Sequence, residues 1–291
     1  MFITQLINGL TLGLTYALIA VGYSLVFGIL RLVNFSYGSI YAFGANIIIF
    51  MIAKDFGLFP AVLISILITG IVNVLIDKVA LEPLRNQNAP SIASLITTIG
   101  VSNVITNLLI VFFSSEKKSF PSIFPFGSVQ LGNIFVTYTQ IGMLIISLLL
   151  LTFLIYIVYK TKIGLGMRAT EQNAKAALLM GVDVNKVIKT TFLLAGMSAA
   201  IAGTLVASYY NMAYPNMGAV SGLKAFAAAV LGGIGNLPGS IIGGLSVGIF
   251  EVVAATVLGS EYRDSVAFII LIVVLLIRPQ GIFGKKGIYK V

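Results

Sequence analysis

Arg31 is the first charged residue of the chain, and the uncharged stretch before it is long enough to cross a membrane. Such stretches recur. Residues 1–30, 32–53, 56–76, 86–115, 119–159 and 190–223 carry no Asp, Glu, Lys or Arg. A spanning helix needs about 20 mostly apolar residues. Charged residues make up 9% of the 291 residues, against about 25% in a soluble domain. A chain so poor in charge cannot face water on all sides, which excludes disorder and an ordinary soluble enzyme. The expected fold is an all-α polytopic transmembrane helical bundle, a single domain over residues 1–291, seated in the lipid bilayer.

Basic residues orient the bundle, because short cytoplasmic loops collect Lys and Arg. Segment 160–189 carries Lys160, Lys162, Arg168, Lys175, Lys186 and Lys189, and the tail carries Arg278, Lys285, Lys286 and Lys290. Both are expected in the cytoplasm. Counting back places Arg31 and the 77–90 loop inside and the amino terminus outside. The Pro- and Gly-bearing start of run 119–159 (Pro121, Pro125, Gly127, Gly132) reads as an outside loop, and Tyr138 to Tyr159 as a span. Segment 211–222 is expected outside. Between it and the tail lie apolar pieces at about 223–235, 238–258 and 265–277, short for a bilayer at either end. Eight to nine spans with broken or re-entrant helices result.

The site chemistry narrows the function further. Neither Cys nor His occurs, which removes disulfides, common metal ligands and the commonest general base. No P-loop is present, so ATP hydrolysis is not expected of this chain. No catalytic residue and no metal site is assigned. The net charge of +9 belongs to cytoplasmic loops rather than to nucleic-acid binding.

The loop at 164–187 is the most informative soluble piece. Thr170 is expected to cap a helix of about ten residues, with Glu171 in its first turn where a negative charge suits the helix dipole. Gly181 is the expected left-handed stop, and Asp183 caps the next helix. Ala174, Ala177, Leu178 and Gly181 recur at helical spacing as one small-residue stripe, suited to close docking on a protein partner or, less well, on lipid.

Within the spans, Gly239-x-x-x-Gly243 and Gly244-x-x-x-Gly248 permit close helix approach. The Gly235-Asn236-Leu-Pro238 run is read either as packing or as a broken helix lining a path. Glu251 sits 13 residues into its span, where a charge costs about 2.5–3.5 kcal/mol; it is read as a substrate or subunit contact or as a structural hydrogen bond. Lys224 is expected at the outer interface with its amine snorkelling outward. Asn8, Asn46, Asn73, Ser102, Asn103, Thr106 and Asn107 are read mostly as helix–helix contacts.

Arg168-Ala169…Gly181-Val182 resembles the coupling loop of ATP-binding-cassette (ABC) importer permeases. The Gly222–Gly244 segment (GLKAFAAAVLGGIGNLPGSIIGG), Glu251, Glu261-Tyr-Arg-Asp264, Arg278-Pro-Gln-Gly-Ile-Phe-Gly284, Gly9-Leu-x-x-Gly13 and Val33-Asn34-Phe-Ser-Tyr37-Gly38 resemble the branched-chain amino acid permeases of the LivH type. The family usually reads Asn-Phe-Ala-His-Gly in that last motif, and Ser36 and Tyr37 depart from it. The resemblance covers essentially the whole chain. It implies the ABC importer permease fold in a prokaryotic cytoplasmic membrane. Its implied partners are a second related permease, two cytoplasmic ATPase subunits that hold ATP and Mg²⁺, and an extracytoplasmic binding protein delivering Leu, Ile or Val. Arg168, Thr170, Glu171 and the stripe would then couple to the ATPases, and Asn34, Tyr37, Gly235, Asn236, Pro238 and Glu251 would line the path. No cofactor is implied for this chain. A sugar or nucleoside importer permease and a stand-alone amino acid transporter are the alternatives.

Overall fold

The computed structural model describes residues 2–284 apart from Asn88, Phe126, Gly132, Asn133 and Pro279. The expected basic tail residues Lys285, Lys286 and Lys290 therefore lie outside the described residues, as do Gly132 and Pro279 of the motifs above.

Helices dominate. They are α1 (Phe2–Leu30), α2 (Tyr37–Ile52), α3 (Leu58–Ile76), α4 (Glu82–Asn86), α5 (Ser91–Phe113), α6 (Tyr138–Lys160), α7 (Lys162–Gln172), α8 (Ala174–Leu179), α9 (Val184–Tyr210), α10 (Met217–Gly232), α11 (Leu237–Val257) and α12 (Arg263–Ile277). A wide π-helical turn, Asp77–Leu81, joins α3 to α4. Pro83 follows it, and a proline can neither donate to the carbonyl four residues back nor pack under it. The 114–137 segment is not wholly irregular. It holds β1 (Lys118–Ser119), β2 (Ser128–Leu131) and β3 (Ile134–Thr137), with β2 and β3 an antiparallel hairpin and β1 paired to β4 (Met212–Ala213).

Six helical stretches among the described residues are long and apolar enough to cross a bilayer: Ile3–Leu30, Leu58–Asn86, Ser91–Phe113, Tyr138–Lys160, Val184–Tyr210 and Leu237–Val257. Helices α2 and α10 have 16 residues and α12 has 15, short of the 20 or so a full crossing needs. The expectation of eight to nine spans thus resolves into six full-length candidates and three shorter helices.

Burial sorts the helices. The most apolar windows of α1 and α9 are 83% and 72% buried, and those of α5 and α6 only 17% and 28%. So α1 and α9 form the centre, with α2, α10 and α11 against them, while α3, α5 and α6 show apolar flanks outward as lipid solvation requires. Local signals start the helices. Thr137 and Gln140 form a reciprocal capping box at α6, with bonds of 3.2 and 2.9 Å, the T-x-x-Q pattern that satisfies two free amides.

The two glycine repeats in α11 serve different neighbours. Gly244 and Gly248 face α1: a Cβ on Gly244 would lie 2.5 Å from Ala17 Cα, and one on Gly248 would fall on Gly13 Cα. From the other side, a Cβ on Gly13 would lie 2.9 Å from Leu245 Cα, and one on Gly9 3.0 Å from Ile249 Cα. Gly239 and Gly243 instead face α10, at the carbonyls of Gly232 and Ala228. Without a hydrophobic force between helices in lipid, such backbone proximity carries association. Helix α11 is held between two partners by glycine on both faces.

Some polar side chains inside the bundle join helices, and others bond back within their own helix. Asn73 donates to Phe192 O at 2.6 Å, linking α3 to α9, and Gln140 donates to Asn8 Oδ1 at 2.5 Å, linking α6 to α1. Asn46 and Asn107 bond within their own helices.

Candidate functional site

Three places carry the residues singled out above. The first stands past the end of α6. Helix α7 is started by Thr161, whose hydroxyl accepts from Gly164 N, and it closes before Asn173, whose side chain accepts from Ala176 N and starts α8. The single capped helix expected over 170–181 is therefore two helices meeting at Asn173. Thr170 is not a cap. It lies buried inside α7 and bonds back to Gly166 O at 2.8 Å. Glu171 falls in the last turn of α7 rather than the first turn of a new helix, next to Gly28 of α1. An asparagine at an N-cap outcompetes a threonine three residues upstream that can satisfy itself within a helix. Gly181 does adopt the left-handed conformation, φ +84°, and Asp183 does cap α9, accepting from Lys186 N at 3.0 Å. Arg168 stacks over Tyr159 at 5.5 Å.

The small-residue stripe is split. Ala177 is buried and anchors α8, whereas Leu178, Leu179 and Met180 are 64%, 87% and 84% exposed. The outward face is a bulky apolar knob, not a small-residue seam. A groove of about 680 Å³ runs beside it between α7, α8 and the start of α9, with Leu165, Ala169, Ala176 and Met180 among its walls.

The second place is the run between α10 and α11. Gly233 and Gly235 take φ +96° and +90°, values that favour glycine. Asn236 caps α11, its side chain accepting from Gly239 N at 3.1 Å, and Pro238 sits in the first turn where its missing amide costs nothing. Gly235–Pro238 is thus a tight turn at the same end of the bundle as Gly28 and Glu171, not a break inside a span. The C-terminal motif explains itself here. Ile282 N and Phe283 N donate to Leu231 O and Gly232 O at 2.8 and 3.3 Å, and Asn236 Nδ2 donates to Phe283 O at 2.9 Å. Residues 282 and 283 thereby cap α10. Replacing Asn236 with alanine is expected to cost about 1–2 kcal/mol and to raise hydrogen exchange at residues 231–240 and 280–284 together; exchange unchanged at 280–284 would contradict this linkage.

The third place is a charge cluster. Lys224 is not snorkelling outward: it is 5% exposed, bonded to Glu251 Oε1 at 3.0 Å and to Asp264 Oδ1 at 2.6 Å, with the Tyr16 ring 5.6 Å from its Nζ. Arg263 Nε reaches the same Glu251 oxygen at 2.6 Å. Two cations and two anions thus tie α10, α11 and the start of α12. Glu251 is 1% exposed and both cations bind its Oε1, while its Oε2 is buried without a hydrogen-bond partner.

Asn34 and Tyr37 are also structural. Asn34 Oδ1 accepts from Ser36 N and Oγ at 3.0 and 2.6 Å, closing the turn into α2. Tyr37 is fully buried, its ring over the bare Gly22 and its hydroxyl donating to Ala195 O. A tyrosine at this family position fills the space between α1 and α9 and does not line a cavity. Sequence reasoning placed Ser102 and Thr106 among the helix contacts. They are that, bonding Ser39 of α2 from α5, but with Ser39, Asn103 and Asn216 they also line a recess of about 240 Å³. Spacing alone does not separate a polar contact from a polar wall.

These features define a multi-pass helical membrane protein with its ion pairs and irregular turns packed inside and an apolar knob beyond the spans. The chain belongs to the family described as the permease component of branched-chain amino acid transport systems, whose model matches residues 5–275. It is 36% identical to the high-affinity branched-chain amino acid transport system permease protein BraD of Pseudomonas aeruginosa and equally to LivH of Escherichia coli K12, over 100% of this chain and 98% of each relative. The probable branched-chain amino acid transport permease protein LivH of Methanocaldococcus jannaschii is 30% identical over 92% of this chain and 88% of its own.

Proposed function

We propose that this chain is the membrane permease subunit of an ATP-driven importer for branched-chain amino acids. It forms the translocation path by alternating access and takes its drive from separate ATPase subunits, which bind the ATP and Mg²⁺. The observation that carries the reading is the exposed Leu178-Leu179-Met180 knob on a short helix braced against α7 and α9, in a chain of this family. Three adjacent large apolar side chains in water are unfavourable unless a partner covers them. A push on α8 passes through buried Ala177 to α9 and through α7 to the end of α1, the two most buried helices.

Charge supports the orientation. Arg31, Arg85 and segment 160–189 gather at the knob end, which supports a cytoplasmic position for that end. The amino terminus is then outside and the carboxy terminus inside. Helices α2, α10 and α12 complete the crossings as partial helices, consistent with the nine-pass reading. A second permease of the same family and an extracytoplasmic binding protein complete the assembly.

Leu179→Asp and Met180→Asp test the reading. Each puts a charge on the docking face without touching the bundle. Loss of a central apolar contact costs about 2 kcal/mol or more, which is about 30-fold in affinity. The expected result is loss of co-purifying ATPase and of leucine uptake, with normal yield of folded permease. Retained uptake would reject the docking role.

A further inference from the structure

Irregular backbone at bilayer depth is tolerated only where protein covers it or water reaches it. Two such stretches converge in this chain. Residues 31–36 turn back from the end of α1 into the bundle, so that α2 begins with Tyr37 against Gly22 and Tyr23, well inside the length of α1. Residues 214–216 lead into α10, which begins against α2: a Cβ on Gly38 would fall on the Gly218 carbonyl, and one on Gly222 would lie 2.8 Å from Gly38 Cα. The recess of about 240 Å³ lies beside this crossing, with α5 as its third wall.

Its lining mixes two chemistries. Ser39 Oγ stands 2.6 Å from Ser102 Oγ and 3.0 Å from Thr106 Oγ1, and Asn103 and Asn216 also line the recess. Tyr23, Phe35, Ile99 and Leu223 add apolar surface to it. Among the described residues, no Asp, Glu, Lys or Arg lines it. Asn103 and Asn107 are exposed in the interior of the 23-residue α5. Carboxamides there are costly against hydrocarbon, so this face meets water or protein.

We propose that this recess is where the permease contacts its moving substrate, a net-neutral amino acid zwitterion with a branched aliphatic side chain. The proposal rests on the function proposed above and adds the contact residues to it. The hydroxyls, the carboxamides and the starts of α2 and α10, which carry partial positive charge, meet the carboxylate. Tyr23, Phe35, Ile99 and Leu223 meet the aliphatic side chain, and the aromatic faces also suit an ammonium. A site with no formal charge holds a zwitterion loosely, as passage requires, and offers no counter-charge to a cationic side chain.

The chain has no cysteine, so single cysteines report directly. In proteoliposomes holding the assembled importer with leucine-loaded binding protein and ATP, Ser102→Cys and Thr106→Cys are treated with a cationic methanethiosulfonate. Modification is expected to reduce leucine uptake at least tenfold, with Leu108→Cys, on the outward face of α5, unaffected. Thr106→Val, which keeps the shape and removes the hydroxyl, is expected to lower uptake about tenfold at unchanged yield of complex. Wild-type uptake together with insensitive cysteines, or with full uptake by Thr106→Val, overturns the recess as the contact site and leaves the permease function standing. Absence of ATP-dependent branched-chain amino acid uptake by the unmodified importer overturns the function itself, and this proposal with it.

Discussion

Replacing Gly248 with leucine is expected to abolish the folded permease. A Cβ at this position lands on Gly13 Cα and lies within 2.5 Å of Gly9 O. Both are backbone atoms of α1, and no rotamer change moves them. Ordinary overpacking of a core costs about 1–3 kcal/mol because side chains give way. Here two central helices must separate along a seam that also includes Gly13, Ala17 and Gly244, so the cost exceeds that range and meets the whole stability of a marginal fold. Even Gly248→Ala adds the offending atom and is expected to fail partly. Phe250→Leu, two residues away and 52% exposed, is expected to leave the chain intact. Yield of monodisperse protein in mild detergent and its thermal midpoint check the series. A stable Gly248→Leu chain would mean that α1 and α11 do not pack through this seam.

The charge cluster carries the second large effect. Glu251→Leu leaves Lys224 with only the half-exposed Asp264 and deprives Arg263 of its 2.6 Å partner. Breaking a buried ion pair by removing one member costs about 3–5 kcal/mol, chiefly because the other charge stays buried. Lys224→Met is expected to cost a similar amount. The double variant Lys224→Met with Glu251→Leu removes one charge of each sign and fills the site with apolar atoms, and such replacements are often neutral or better. It is therefore expected to recover most of the lost stability and to transport leucine at near the wild-type rate. The double-mutant cycle measures the coupling. If the double variant folds but does not transport, Glu251 or Lys224 acts on the substrate and the cluster is more than a clamp.

Much of the architecture was legible along the chain. The charge-free runs located α1, α3 and α5 within about five residues, because lipid demands uninterrupted apolar length and a charge ends it; α9 begins six residues before its run, with Lys186 and Lys189 in its first turns, and α11 carries Glu251 inside it. Gly181 and Asp183 were readable because caps and left-handed turns depend on residues next in sequence, whereas Asn236 was read as packing or path lining and is a cap. The family motifs were legible as well, but their roles were not. The resemblance marks Asn34, Tyr37 and Glu251 as path lining, and the structure shows them also as a turn, a spacer between helices and an ion-pair hub, the last in line with the structural reading of Glu251. Thr170 looked like a cap, but Asn173 took that position.

What the linear order determined by itself is that this polypeptide lives in lipid, roughly where its long helices lie, and to which transport family it belongs. Those properties follow from local length, local charge and short-range backbone preference. Only the tertiary structure decided that Lys224 meets Glu251 across 27 positions, that Phe283 covers the end of α10, and that Ser39, Ser102 and Asn216 share one recess. Nothing local distinguishes a serine that faces another helix from one that faces a cavity. That choice is made when bare glycine seams draw certain helices together and leave others apart.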